Sequence, residues 1–171
     1  EEVLETIGSE NKNPESAKRS KSGIIVKGLY DVAVHFSKCC SPVPGDEIVG
    51  FVTRGRGVSI HRTDCINIIN LSDMEKERLI DAEWQHDGQD GGLYRAEIKI
   101  FGNNRTGLLV DITRVFTERE IDIDAIHSKT SKQGVATIDV SFSTKGREEL
   151  GSVIDKLRQI DSVIDIVRTT G

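Results

Sequence analysis

The chain has 171 residues, a formal net charge of −5, 36% hydrophobic residues, 30% charged residues and 5% aromatics. That length suits one ordinary domain or two small ones, with cores built mainly from Ile, Val and Leu, and no apolar run approaches the ~20 residues that cross a bilayer. The acidic start EEVLETIGSENKNPES lacks the basic and apolar regions of a signal peptide, and three cysteines, two of them adjacent, make a poor disulfide framework, so a reducing, cytoplasmic setting without membrane association is expected.

The missing initiator Met fits a segment of a longer chain. Residues 1–22 read as a linker, rich in Asn, Ser, Lys and Glu, with EEVLETIG as the end of a preceding region. Charge is uneven beyond it. Residues 17–65 carry eight Lys/Arg against four Asp/Glu, and residues 66–92 carry two against seven. The basic excess therefore lies on the cysteine-bearing stretch, the part to suspect of meeting nucleic acid.

Residues 23–85 form the first module. GIIVKG and VAVHFS read as short strands around a Gly-Leu-Tyr-Asp turn, and SPVPGD after Cys39 and Cys40 is a loop. EIVGFVT and VSIH form a hairpin over residues 47–61 with the basic tip RGRG. Thr63 is placed to N-cap a helix over DCINIINL, with Asp64 in its first turn, and RLIDAEWQ closes the module as a strand. About 63 residues is near the lower limit for unaided folding, where a metal staple helps.

HDGQDGG, residues 86–92, is a second linker. From residue 93 to 171 the periodicity spells β-α-β-β-α-β. LYRAEIKIF alternates, GNNRTG turns, and LLVDITRVFTERE has apolar residues at helical spacing. IDIDAIHSKTS is a strand with Ile121, Ile123 and Ala125 on one face. SKQG is a hairpin turn, VATIDVSFST a strand, REELGSVIDKLRQI an amphipathic helix and SVIDIVRT the last strand. This is the ferredoxin-like arrangement, with both helices on one face of a four-stranded antiparallel sheet. The fold class is therefore α+β: a small, β-rich Cys/His module followed by a βαββαβ domain.

Cys39, Cys40, His61 and Cys65 have the composition of a Cys₃His zinc site, because thiolate and imidazole are the donors structural zinc prefers. The alternative is three thiols packed without metal, and His35 is a rival fourth donor. Arg54, Arg56 and Arg62, with Lys38 beside the cysteines, offer cations suited to phosphates; the alternative is a solvated hairpin tip. No G-x-S-x-G, P-loop or H-E-x-x-H motif is present, so catalysis by this chain is not expected.

The stretch CCSPVPGDEIVGFVTRGRGVSIHRTDC, residues 39–65, resembles the conserved-cysteine (zinc-finger) module of the RelA/SpoT family, enzymes that make and hydrolyse (p)ppGpp. Residues 93–171 resemble the family's ACT domain. The resemblance implies a non-catalytic regulatory fragment whose parent is a GTP diphosphokinase, a (p)ppGpp hydrolase or both, acting in the stringent response. It implies that the fragment senses amino-acid starvation through contacts with the ribosome, its RNA and uncharged tRNA. It implies a structural zinc on Cys39, Cys40, His61 and Cys65, and RNA contacts from Lys38, Arg54, Arg56 and Arg62. It also implies homodimerisation through ACT edge strands. The alternative it offers is a small-molecule sensor holding a branched-chain amino acid at Asn103, Asn104, Gly107 and Leu108. There the sequence departs from the common ACT pattern, which has Asp at the position of Asn104; Asn lacks the charge that pairs with a ligand ammonium.

Overall fold

The computed structural model describes residues 22–28, 32–85 and 92–171. The expected linkers at residues 1–22 and 86–92 lie almost wholly outside these, as does most of the Gly-Leu-Tyr-Asp turn.

The first module contains two small sheets. Strand β1 (Ile24–Val26) pairs antiparallel with β6 (Ala82–Trp84). A second sheet has the order β2-β4-β3-β5, from β2 (Val34–Phe36), β3 (Ile48–Val52), β4 (Val58–Arg62) and β5 (Leu79–Ile80). Within it β2 runs parallel to β4, and the β3–β4 hairpin is antiparallel. Ile24, Val26, Val58 and Ile60 form the buried centre, with Val34, Phe36, Ile80 and Trp84 packed around them.

The hairpin tip is held by Thr53, whose hydroxyl donates to Gly57 O at 2.7 Å and accepts from Arg56 N–H at 3.2 Å. Gly57 has φ +75°, and a Cβ there would lie 2.2 Å from Ala33 O. Only glycine lets the loop before β2 come this close.

The segment after β4 differs from expectation. The helix is a single turn, α1 (Ile66–Ile69), whose N-cap is Cys65 rather than Thr63. Thr63 N–H donates instead to Glu47 O, prolonging the hairpin ladder by one bond. Asp64 lies before the helix and pairs with Arg62. A further short helix, α2 (Asp73–Lys76), carries a capping box between Ser72 and Glu75. The expected closing strand is two strands, because at Asp81 the chain crosses from the sheet of β3 to the edge of β1.

The second half has the expected order. Strands β7 (Tyr94–Asn103), β8 (Ile123–Thr130), β9 (Val135–Thr144) and β10 (Val163–Arg168) form an antiparallel sheet in the order β10-β7-β9-β8. Helices α3 (Leu108–Glu118) and α4 (Arg147–Arg158) cover one face. The core follows the periodicities. Ala96, Ile98 and Ile100 on β7 and Ala136, Ile138, Val140 and Phe142 on β9 meet Leu108, Ile112, Val115 and Phe116 on α3 and Leu150, Val153 and Leu157 on α4. Each Val, Leu, Ile or Phe among them, fully buried, contributes roughly 1.5–3 kcal/mol of transfer free energy.

Two details differ. Gly102 and Asn103 continue β7, so the turn is shorter than expected. A register shift between Ile123 and Ala125 puts Ala125 opposite Ser141, on the face away from Ile123. A bulge adds a residue to one strand and so reverses the alternation.

The two halves are joined by the loop Ser41–Asp46. Val43 is fully buried in the core of the second domain. Pro44 O accepts from Arg147 N–H at 2.8 Å, and Asp46 pairs with Arg168. Trp84 stacks on Phe36, meets Tyr94 edge-on, and donates from its indole N–H to Asp46 O at 3.0 Å. No helix among the described residues is long and apolar enough to cross a membrane.

Candidate metal centre and basic hairpin

The parallel pairing of β2 and β4 creates the cysteine corner. Phe36 lies opposite Ile60, and Ser37 N–H donates to Ile60 O. Both chains therefore leave the sheet at the same end, and the turn holding Cys39 and Cys40 falls beside His61 and the N-cap Cys65. The donor atoms of all four residues lie within 4.8 Å of one another.

The Cys39 Sγ atom is 3.5 Å from Cys65 Sγ and 4.0 Å from Cys40 Sγ. His61 Nδ1 is 3.4 Å from Cys39 Sγ and 3.9 Å from Cys40 Sγ. With Zn–S of about 2.3 Å and Zn–N of about 2.0 Å, a tetrahedral ion sets S···S at about 3.8 Å and S···N at about 3.5 Å. Four of the six donor pairs bracket these values and all six lie within 4.8 Å, so the donor set fits zinc. His35, the rival donor, is exposed and outside the cluster.

The surroundings suit the same ion. The Nε2 atom of His61 lies 2.9 Å from Ser37 Oγ and 3.1 Å from Ser59 Oγ. With the metal on Nδ1, Nε2 carries the proton and donates to a serine, an outer contact that orients a ligating imidazole. Burial, and secondarily the charge of His35, lower the His61 pKa and favour the neutral ring. Burial pushes the Cys40 thiol up to about 12, against the pull of the Arg62 N–H, and the neighbouring cysteines raise it further. Burial likewise raises Cys65. Two thiols raised in this way do not ionise together in a half-dry corner unless a cation joins them.

The basic residues separate. Arg54 and Arg56 are exposed at the hairpin tip, and Lys38 is exposed beside the cysteines. The five residues of β4 lie between tip and corner, roughly 15 Å of strand, so these cations are not one patch. Arg62 departs from expectation: it is 6% exposed. Its guanidinium makes a bidentate contact with Asp64 and donates to Cys40 O and Thr169 O, each at 3.2 Å. Those donors tie the cysteine turn to the end of the second domain and take four of the five N–H groups a guanidinium offers a phosphate.

The loop between β7 and α3 is also committed. Asn103 and Asn104 are exposed, but their N–H groups donate to Ser162 O and Gly134 O. Gly107 has φ +84° at the N-cap of α3, and the Leu108 side chain is core rather than loop, at 2% exposed. Arg105, not singled out from the sequence, bridges this end of the helix. It donates to Ser162 Oγ, Thr106 O, Asp111 Oδ2 and Asp161 O.

Sequence reasoning missed Ser37, Ser59 and the Asp46–Arg168 pair. Ser59 was findable, because it stands two residues before His61 on one strand face. The pair joins residues 122 apart and leaves no local signal.

Comparison with known proteins gives two family matches: the RelA/SpoT RIS domain over residues 24–85 and the ACT domain over residues 90–168. The GTP pyrophosphokinase of Escherichia coli K12 is 35% identical over 170 residues, covering 99% of this chain and 23% of its own length. That of Streptomyces coelicolor is 37% identical over 171 residues, covering 99% and 20%. The chain thus spans less than a quarter of the curated relatives it matches. The crystal structure of the ACT domain from the GTP pyrophosphokinase of Chlorobium tepidum aligns at 27% identity over 45% of this chain and 99% of its own, with a TM-score of 0.41. With its cysteine corner inside the first match and its βαββαβ sheet inside the second, the chain belongs to the RelA/SpoT family, as the C-terminal regulatory region of such a protein.

Proposed function

We propose that this region is a zinc-organised reporter of ribosome state, which acts on catalytic domains elsewhere in its parent and performs no chemistry itself. The observation that carries the reading is the convergence of the donor atoms of Cys39, Cys40, His61 and Cys65 within 4.8 Å of one another. Zinc there would supply structural crosslinking only. It would fix the turn at Cys39–Cys40 to the end of β4, from whose other end Arg54 and Arg56 project toward a phosphate backbone. Lys38 would make a second, separate contact. Ribosomal RNA and uncharged tRNA are the proposed partners, and the parent's proposed activity is synthesis or hydrolysis of (p)ppGpp.

A second copy of the chain is the other proposed partner. Strand β8 is a sheet edge whose residues from Asp124 to Thr130 are exposed, with Ile126 39% exposed. The amino-acid-sensing alternative draws less support, since Arg105, in the loop before α3, is already held by four bonds within the chain.

Two measurements test the reading. The chain purified without chelator is expected to carry about one zinc, lost in His61→Ala. Arg54→Ala/Arg56→Ala is expected to keep zinc and lose pelleting with ribosomes. Metal-free protein refutes the zinc reading, and unchanged pelleting refutes the ribosome reading.

A further inference from the structure

We infer that Cys39 and Cys65 are a peroxide-sensitive pair whose closure into a disulfide expels the metal from the corner. This rests on the zinc reading, and its test separates the two.

The three sulfurs are not equivalent. Cys40 and Cys65 are buried, while Cys39 is half-buried and the one an oxidant from solvent meets first. Its near partner is Cys65, with Sγ 3.5 Å away; Cys40 Sγ stands at 4.0 Å. Adjacency disfavours Cys40 further. Neighbouring Cα atoms across a trans peptide are about 3.8 Å apart, below the roughly 4.4–6.8 Å that disulfides take. Cys40 is also pinned, its sulfur by the Arg62 N–H at 3.3 Å and its carbonyl by the Arg62 guanidinium. Cys65 follows the exposed residues Thr63 and Asp64 and caps a one-turn helix, and no hydrogen bond from Arg62 holds its sulfur as one holds that of Cys40.

The chemistry balances with a hydroperoxide as oxidant. The Cys39 thiolate attacks the O–O bond of hydrogen peroxide, takes one OH and becomes a sulfenic acid, and the other oxygen leaves as hydroxide, which solvent protonates to water. The Cys65 sulfur then attacks the Cys39 sulfur. The S–O bond breaks, an S–S bond forms, and the oxygen leaves as hydroxide, which takes a proton from solvent to become a second water. Each sulfur gives up one electron and the peroxide takes both. Closure draws the sulfurs from 3.5 Å to about 2.0 Å and turns both away from the ion. Cys40 and His61 remain, two donors where structural zinc takes four. The same movement pulls the start of α1, where Ile66 N–H donates to Thr170 O at the end of the ACT domain.

The test uses the whole chain loaded with zinc and treated with equimolar hydrogen peroxide. A chromogenic chelator reads released zinc, and mass spectrometry maps the cysteines. The expected result is zinc release, a fall in free thiols from three to one, a Cys39–Cys65 cross-link within one chain, and reversal by dithiothreitol. A cross-link that includes Cys40, a cross-link between chains, or zinc lost with all thiols intact overturns the proposal. So does a Cys39–Cys65 cross-link that leaves the zinc bound. A chain that takes up no zinc refutes the metal reading instead; the same mapping on that metal-free chain then decides the pairing alone.

Discussion

The Asp46 carboxylate accepts one hydrogen bond from each terminal nitrogen of Arg168, at 2.7 and 2.9 Å, although the two residues are 122 positions apart. The pair joins the RIS domain to the last ACT strand and is largely buried, with side chains 5% and 16% exposed. Asp46 also accepts the N–H of Val43, and Arg168 donates to Ser41 O, so one ion pair holds the loop that plugs the ACT core. Breaking a buried pair on one side strands the other charge. Asp46→Ala is expected to lower stability by about 3 kcal/mol in urea unfolding. The double variant with Arg168→Leu should lose less than the sum of the single losses. Additive losses would mean that the pair does not couple the domains.

Arg62 and the hairpin arginines should behave oppositely. Arg62→Ala leaves Cys40 O and Thr169 O without donors and is expected to cost about 2–3 kcal/mol. Arg54→Ala and Arg56→Ala, at an exposed tip, should change stability by less than about 0.5 kcal/mol while weakening polyanion binding at low salt. Thermal melts with heparin or RNA titrations separate the two effects.

The Arg62 contact also sets a pH dependence. Its hydrogen bonds to Asp64 hold that carboxyl below the usual carboxylate range, more strongly than burial raises it. A depressed carboxyl contributes stability that is complete above its unfolded pKa and is lost as pH falls through the folded value. The Asp64 side chain is 58% exposed, so solvent screening keeps the effect small. Asp64→Asn should flatten the acid limb of stability against pH without changing the slope above neutrality. An unchanged acid limb would remove this carboxylate from the account.

The serines behind His61 should matter to a metal and little to the fold. Ser37→Ala/Ser59→Ala takes away both partners of Nε2. Zinc affinity, measured by competition with a chelator, is expected to drop about tenfold or more. An unchanged affinity would mean that the imidazole orientation is set by packing alone.

Gly57 and Gly55 share a positive φ but differ in space. A Cβ at Gly55 meets nothing within 4 Å, whereas at Gly57 it meets Ala33 O. Gly55→Ala should cost about 1 kcal/mol and Gly57→Ala clearly more, because the strand β2 has to move. Equal losses would point to backbone strain alone.

The ACT half was legible because each of its elements carries its own period. Alternation over Tyr94–Asn103 and three-four spacing over Leu108–Glu118 and Arg147–Arg158 are local signals, and the βαββαβ order follows from them. The four candidate ligands were legible by residue type. Their meeting was not, because it depends on β2 lying parallel to β4, a pairing of segments more than twenty residues apart that no local pattern announces. The bulge after Ile123 and the break at Asp81 were hidden for a related reason: each is chosen by a neighbouring strand.

Arg62 shows where the boundary falls. Its sequence neighbourhood, a basic residue between His61 and Asp64 in a positively charged stretch, reads as surface and as a phosphate contact. The amino-acid sequence by itself determined the chemistry available: thiols and imidazole for a metal, guanidinium groups for anions, and two periodic halves. Tertiary structure alone decided which guanidinium groups remain in water. Burial beside Asp64, Cys40 O and Thr169 O makes Arg62 part of the seam, because a desolvated cation holds its place only when its donors are taken. Arg54 and Arg56 face solvent, with no such neighbour among the described residues.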